Sequence, residues 1–167
     1  LTRYTFGGGG GGAGQVIINE IRANGPGSDT AGEFVEIINL GGTAANIGGW
    51  TISDGAAVRH TFAAGATLNP GKAVVVFGGA PAIPAGLGNA VAASSGGLSL
   101  SNSGDTVTVR DSGGAVRNSF TYTSALAGMD GVSMNRNPDG TAGAFVLHTS
   151  ISSAQSSAGV RASGLPW

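Results

Sequence analysis

The sequence predicts an all-β fold, a sandwich or barrel, on three observations. Short runs rich in Val, Ile, Thr and Phe recur along the chain and are punctuated by Gly, Asn, Asp and Pro, which is the pattern of closely spaced strands and turns. No segment sustains a helical period with a cap over roughly ten residues. Glycine contributes 32 of 167 residues, against roughly 7% in average proteins. Part of that excess sits in explicit turns such as Ser53-Asp54-Gly55, Met129-Asp130-Gly131 and Pro138-Asp139-Gly140, where Gly supplies a positive φ.

Residues 1–6, Leu1-Thr2-Arg3-Tyr4-Thr5-Phe6, place Thr2, Tyr4 and Phe6 on one face of an extended strand. Residues 7–14 follow as six glycines, Ala13 and Gly14; such a tract holds no regular structure cheaply and reads as a flexible linker, about 25 Å long when stretched. The predicted organisation is therefore an N-terminal strand arm at 1–6, a glycine linker at 7–14, a sandwich at 15–163 and a short tail at 164–167.

Within the sandwich, strands are expected at 15–22, 33–39, 50–53, 59–62, 73–77, 98–100, 106–110, 116–123, 132–134 and 145–148. Their apolar residues supply one core, with Phe34, Trp50, Val75 and Phe120 among its anchors. The run Val74-Val75-Val76-Phe77 does not alternate, so it predicts a strand covered on both faces or one lying beneath a loop. Residues 81–97, rich in Gly, Ala and Ser and free of charge, are expected to form a long loop.

Composition removes several function classes. One Lys and seven Arg are scattered, and the net charge is −1, so no basic face for nucleic acid is expected. The longest apolar run is too short for a membrane-spanning helix, which needs about 20 residues. Cysteine is absent, which removes disulfides, thiolate nucleophiles and Cys-type zinc sites. The chain begins at Leu1 rather than Met, and an extracellular location after removal of a leader is the expectation.

Chemistry-bearing residues read as structural. Glu33 and Glu36 lie three positions apart and face opposite sides of a strand, unlike the paired carboxylates of a glycosidase. Glu20 or Glu36, set beside apolar neighbours, is expected to pair with an arginine such as Arg136 or Arg161. Asp54, Asp105, Asp111, Asp130 and Asp139 stand beside Gly or Ser without the dense spacing of a calcium loop, and so mark turns. His60 and His148 are too few for a His-only zinc site. There is no nucleophile elbow and no phosphate-binding loop. No cofactor and no catalysis are expected.

Several segments then stand in one order: Ile18-Asn19-Glu20-Ile21, Gly32-Glu33-Phe34-Val35-Glu36-Ile37-Ile38-Asn39 and Gly49-Trp50-Thr51-Ile52-Ser53-Asp54-Gly55. They are followed by Leu100-Ser101-Asn102-Ser103-Gly104-Asp105-Thr106-Val107 and Ser133-Met134-Asn135-Arg136-Asn137-Pro138-Asp139-Gly140. The series resembles the lamin tail domain of bacterial secreted and surface proteins, over about residues 16–163. The closing Ser157-Ala158-Gly159-Val160-Arg161-Ala162 is similar to the ending found there, with one residue inserted and a proline missing. The resemblance implies an immunoglobulin-like β-sandwich without catalytic residues, Trp50 as a core anchor, and Glu36 with Arg136 as a buried ion pair.

The expected function follows from the arm. An extended segment adds to an exposed sheet edge through main-chain hydrogen bonds, with alternate side chains filling pockets. Leu1, Tyr4 and Phe6 would be the interface residues, with Trp167 as a further contact. Copies of the chain are the expected partners, joined head to tail into an extracellular filament. The alternative is a non-catalytic binding or adhesion module for glycan, cell wall or protein, using 81–97 or Leu165-Pro166-Trp167.

Overall fold

The computed structural model describes residues 15–28 and 30–167; the arm and linker expected at 1–14 lie outside them. The β-branched runs form twelve strands among these residues. In chain order they are β1 (Val16–Arg22), β2 (Phe34–Asn39), β3 (Ala45–Asn46), β4 (Thr51–Ser53), β5 (Val58–Thr61) and β6 (Thr67–Leu68). The others are β7 (Ala73–Phe77), β8 (Ala90–Ala92), β9 (Gly104–Arg110), β10 (Val116–Thr123), β11 (Met134–Asn137) and β12 (Ala144–Leu147). A single helical turn, α1 (Ser124–Ala127), follows β10.

A six-stranded sheet in the order β12-β11-β1-β2-β7-β8 packs on a four-stranded sheet in the order β10-β9-β4-β5, with β3 and β6 paired at one end. Every pairing is antiparallel except β7 with β8, which is parallel. Alternation along the strands sends Ile18, Ile21, Val35, Ile37 and Val76 from the large sheet against Ile52, Val107 and Val109 from the small one, around Trp50. Phe34, Trp50 and Val75 are buried as expected. Phe120 is half-buried and packs at the margin of this core.

The large sheet is covered on both faces. Val75 and Phe77 point away from the inter-sheet core and meet Phe34 beneath Ile83 and Leu87, so the uninterrupted valine run is a strand buried from two sides. The cover comes from 81–97, which is therefore more than a loop. It contains the last residues of a 3-10 turn (Ala80–Ala82) and the parallel strand β8.

Two expected strands differ. Residues 98–100 bury Leu98 and Leu100 but pair with no strand; Ser99 between them has a φ of 53°. Their main chain is held instead by Glu33, whose Oε2 accepts from Leu100 N at 3.1 Å. Residues 132–134 reach a strand only at Met134, where β11 begins. The four residues read as a tail return to the sheet: Val160 bridges Pro166, and Trp167 is buried against Ile38 and Ala73.

Candidate functional site

The polar chemistry of the chain is concentrated on the outer face of the large sheet. The pairing of β1 with β2 slips by one residue at Asn19, so that Ile18 opposes Ile37 while Glu20 opposes Glu36. This β-bulge lets Ile18 and Ile21 both enter the core, although they are three residues apart, and turns Glu20 outward beside Glu36.

Both carboxylates are fully buried, and residues 154–167 form a strap that seals them. Glu20 accepts from Ser133 Oγ at 2.6 Å and from the N–H and hydroxyl of Ser157, both at 2.8 Å. Glu36 accepts from Asn19 Nδ2 and from Gly159 N, both at 2.8 Å. Asp139 completes the row, accepting from Ala162 N at 2.7 Å and from the amides of Asn19 and Asn135, both at 3.0 Å. Three carboxylates thus hold three main-chain N–H groups of one irregular segment, the requirement any buried backbone must meet.

Burial pushes both glutamates above the usual carboxylate range. For Glu20 the hydrogen bonds from Ser133 and Ser157 and the nearby His148 act against that rise. For Glu36 the charge of Glu20 adds to burial. His148 is buried as well, with Nδ1 3.0 Å from Ala154 O and Nε2 3.9 Å from Glu20 Oε1. Glu20 and Glu36 lie under the strap without solvent contact.

The same use of carboxylates extends through the molecule. Of the nine acidic residues, Asp29 lies outside the described residues, and each of the other eight accepts at least one main-chain N–H. Besides those named, Asp54 accepts from Ala56 and Ala57, Asp105 from Gly55, Ser101 and Thr106, Asp111 from Gly113 and Ala115, and Asp130 from Gly27. Among the described residues no three His, Cys, Asp or Glu side chains gather as a metal site.

An open groove of about 470 Å³ lies where the end of the strap meets the start of β7. Leu68, Ala73 and Trp167 give it an apolar wall, and Thr67, Lys72 and Asn89 a polar one. The Lys72 ammonium donates to the Trp167 carbonyl oxygen, and the Arg161 guanidinium lies 4.5 Å from the centre of the Trp167 ring.

The expected residues are distributed as follows. Leu1, Tyr4 and Phe6 lie outside the described residues. Trp167, expected at a subunit contact, packs on its own sheet. Glu36 and Arg136, expected as an ion pair, do not meet. Glu36 is satisfied by neutral donors, and Arg136 donates to Ile18 O at 3.0 Å, Gly143 O at 2.9 Å and Asn118 Oδ1 at 3.4 Å, lying 4.2 Å over the Phe145 ring. The reason is position: Glu36 sits mid-sheet under the strap, whereas Arg136 spans the side of the sandwich facing β10. Sequence reasoning marked Glu20 and Glu36 as carboxylates among apolar neighbours. It missed Asp139, Gly159 and Lys72, whose partners lie in distant segments.

Among proteins of curated function none matches the chain. The family model of the lamin tail domain matches residues 11–124, a shorter span than the expected 16–163, so that β11, β12 and the strap lie beyond it. No helix among the described residues is long and apolar enough to cross a membrane. With its two packed sheets and a match over more than half its length, the chain belongs to the lamin tail domain family of immunoglobulin-like β-sandwiches.

Proposed function

We propose that this chain is a secreted, non-enzymatic structural subunit that assembles into an extracellular filament or surface polymer, each copy donating residues 1–6 as a strand to its neighbour. The observation that carries the reading is the order of parts: a strand-like segment with Tyr4 and Phe6 on one face, a glycine tether, and then a sandwich whose sheets end in edge strands. A donor segment that enters a different surface, the acceptor edge, on the next subunit makes a heterologous contact, which propagates head to tail. The use of all eight described acidic residues to hold main-chain N–H groups supports a structural role for them.

A second reading, a binding or adhesion module for glycan, cell wall or protein, is favoured by the groove beside Trp167 and Lys72. Electron microscopy and mass measurement of the full chain and of a variant lacking residues 1–6 separate the two. Filaments from the full chain and monomers from the variant are expected. Monomers from both refute assembly and favour the binding module.

A further inference from the structure

We propose that the free edge of β10, over residues 118–123, is the acceptor for residues 1–6 of a second copy of this chain. The inference deepens the assembly reading above and rests on residues 1–6 acting as a donated strand.

The sandwich has four edge strands, and they are not equivalent. β12 offers four residues and β8 three. β5 offers four, and its outer side is already occupied: Thr61 N donates to Ser94 Oγ at 2.9 Å, and Arg59 O accepts from Ser95 N at 3.1 Å. β10 offers eight. Its pairing with β9 is irregular only between Val116 and Asn118, so 118–123 form an unbroken ladder of six residues. Half of these residues direct their main-chain N–H and C=O away from β9. Among the described residues, no main-chain bond other than those to β9 is made along 118–123. The donor segment is also six residues long.

The surroundings suit an added strand. Ile18 N donates to Asn118 Oδ1 at 3.0 Å, which places β10 across from β1. The large sheet continues past β1 through β11 and β12, whereas the small sheet stops at β10. Phe120 spans the gap, stacked on Phe145 of β12 with ring centres 3.9 Å apart, and remains half-buried. A strand laid beside β10 sets one face of its side chains under β12 and against this aromatic pair. Thr2, Tyr4 and Phe6 are that face, and an aromatic beside Phe120 finishes its burial.

Residues 7–14, eight residues that span about 25 Å when stretched, are long enough to carry the arm onto a neighbouring copy. A long, unprotected edge is the surface on which β-proteins pair with other chains.

The chain contains no cysteine, so each single-cysteine variant carries one defined thiol. One preparation carries Arg3→Cys or Thr5→Cys. The other carries Ser119→Cys or Thr121→Cys, both on the exposed face of β10, or Val91→Cys on the β8 edge as control. Side chains directly opposite on paired strands lie within disulfide reach. With one preparation isotope-labelled, mixing and mild oxidation should give the mixed dimer of Arg3→Cys or Thr5→Cys with Ser119→Cys or Thr121→Cys, recognised by its intermediate mass, and not with Val91→Cys. Cross-linking with Val91→Cys alone overturns the assignment of β10 while leaving assembly intact. No mixed species, together with internal closure of the Arg3→Cys/Thr121→Cys double variant, overturns the second copy as occupant. No cross-link anywhere, with monomers under the microscope, refutes this proposal and the assembly reading together.

Discussion

Replacing Gly159 by alanine isolates what the strap contributes. Gly159 has a φ of +82°, and a Cβ there would lie 2.5 Å from Leu87 Cδ1 and 3.0 Å from Asn89 Oδ1. Gly86 and Gly164 share the same φ of +82° but have nothing within 4 Å of a Cβ. All three variants therefore meet the left-handed penalty of an L-residue, about 1 to 2 kcal/mol. Gly159→Ala meets two further costs. Either Leu87 gives way in the cluster over Phe34, an overpacking cost of about 1 to 3 kcal/mol, or the strap lifts. Lifting breaks the 2.8 Å bond from Gly159 N to buried Glu36, worth about 1.5 to 3 kcal/mol for a charged acceptor. The lower of the two is taken, so Gly159→Ala should fall about 1 to 3 kcal/mol below Gly86→Ala and Gly164→Ala in urea unfolding, with unchanged slope. Equality of the three variants within about 0.5 kcal/mol would show that the strap is not clamped by Glu36 and Leu87.

The buried carboxylates also set a pH dependence. Glu20, Glu33 and Glu36 are raised in the fold above their ordinary value of 4.5, in each case chiefly by burial. Between 4.5 and those raised values the folded chain binds more protons than the unfolded one, so their effect on stability is most favourable below 4.5 and is lost as pH rises. Buried His60 is lowered from 6.5 and acts oppositely, costing stability as pH falls through 6.5. Urea midpoints should therefore rise from pH 7 to pH 5 in the parent chain and rise less in Glu36→Gln; an equal rise in both refutes the assignment. In the inter-sheet core, Trp50 is 2% exposed, and Trp50→Ala should cost about 3 to 5 kcal/mol in the same assay; a loss under about 1 kcal/mol would refute its role as an anchor.

Much of the sandwich was legible because one-sided burial writes itself into alternation. β7 was readable to the residue, and its unbroken valines announced a second cover. Leu98 and Leu100 carried the same apolar signature, yet their segment is held by the Glu33 carboxylate, so a strand pattern stood for a core contact without a ladder. The outer face was not legible. Its geometry depends on an extra residue at Asn19, which makes Glu20 and Glu36 neighbours, and on bonds joining positions such as 36 and 159 that no local period encodes. Pairing Glu36 with Arg136 followed the rule that a buried charge seeks an opposite charge; two N–H groups, the Asn19 side-chain amide and the Gly159 main chain, answer the same need. The contacts of the tail were not legible for a similar reason, since Trp167 is tied down by Ile38, Ala73 and Lys72, all far away in sequence.

The commitment of the carboxylates to main-chain N–H groups bears on the conditions the fold tolerates. Salt screens attractions between exposed opposite charges, most fully beyond about a Debye length, and buried groups much less; a carboxylate sealed against amide dipoles offers counter-ions no partner to displace. Among the described residues only Asp54 with Arg59 and Asp111 with Arg117 form carboxylate–guanidinium bridges; the strap is fastened without either. The strap's attachment is therefore expected to be far less sensitive to added salt than the two bridges, a difference that urea midpoints at low and high salt would read.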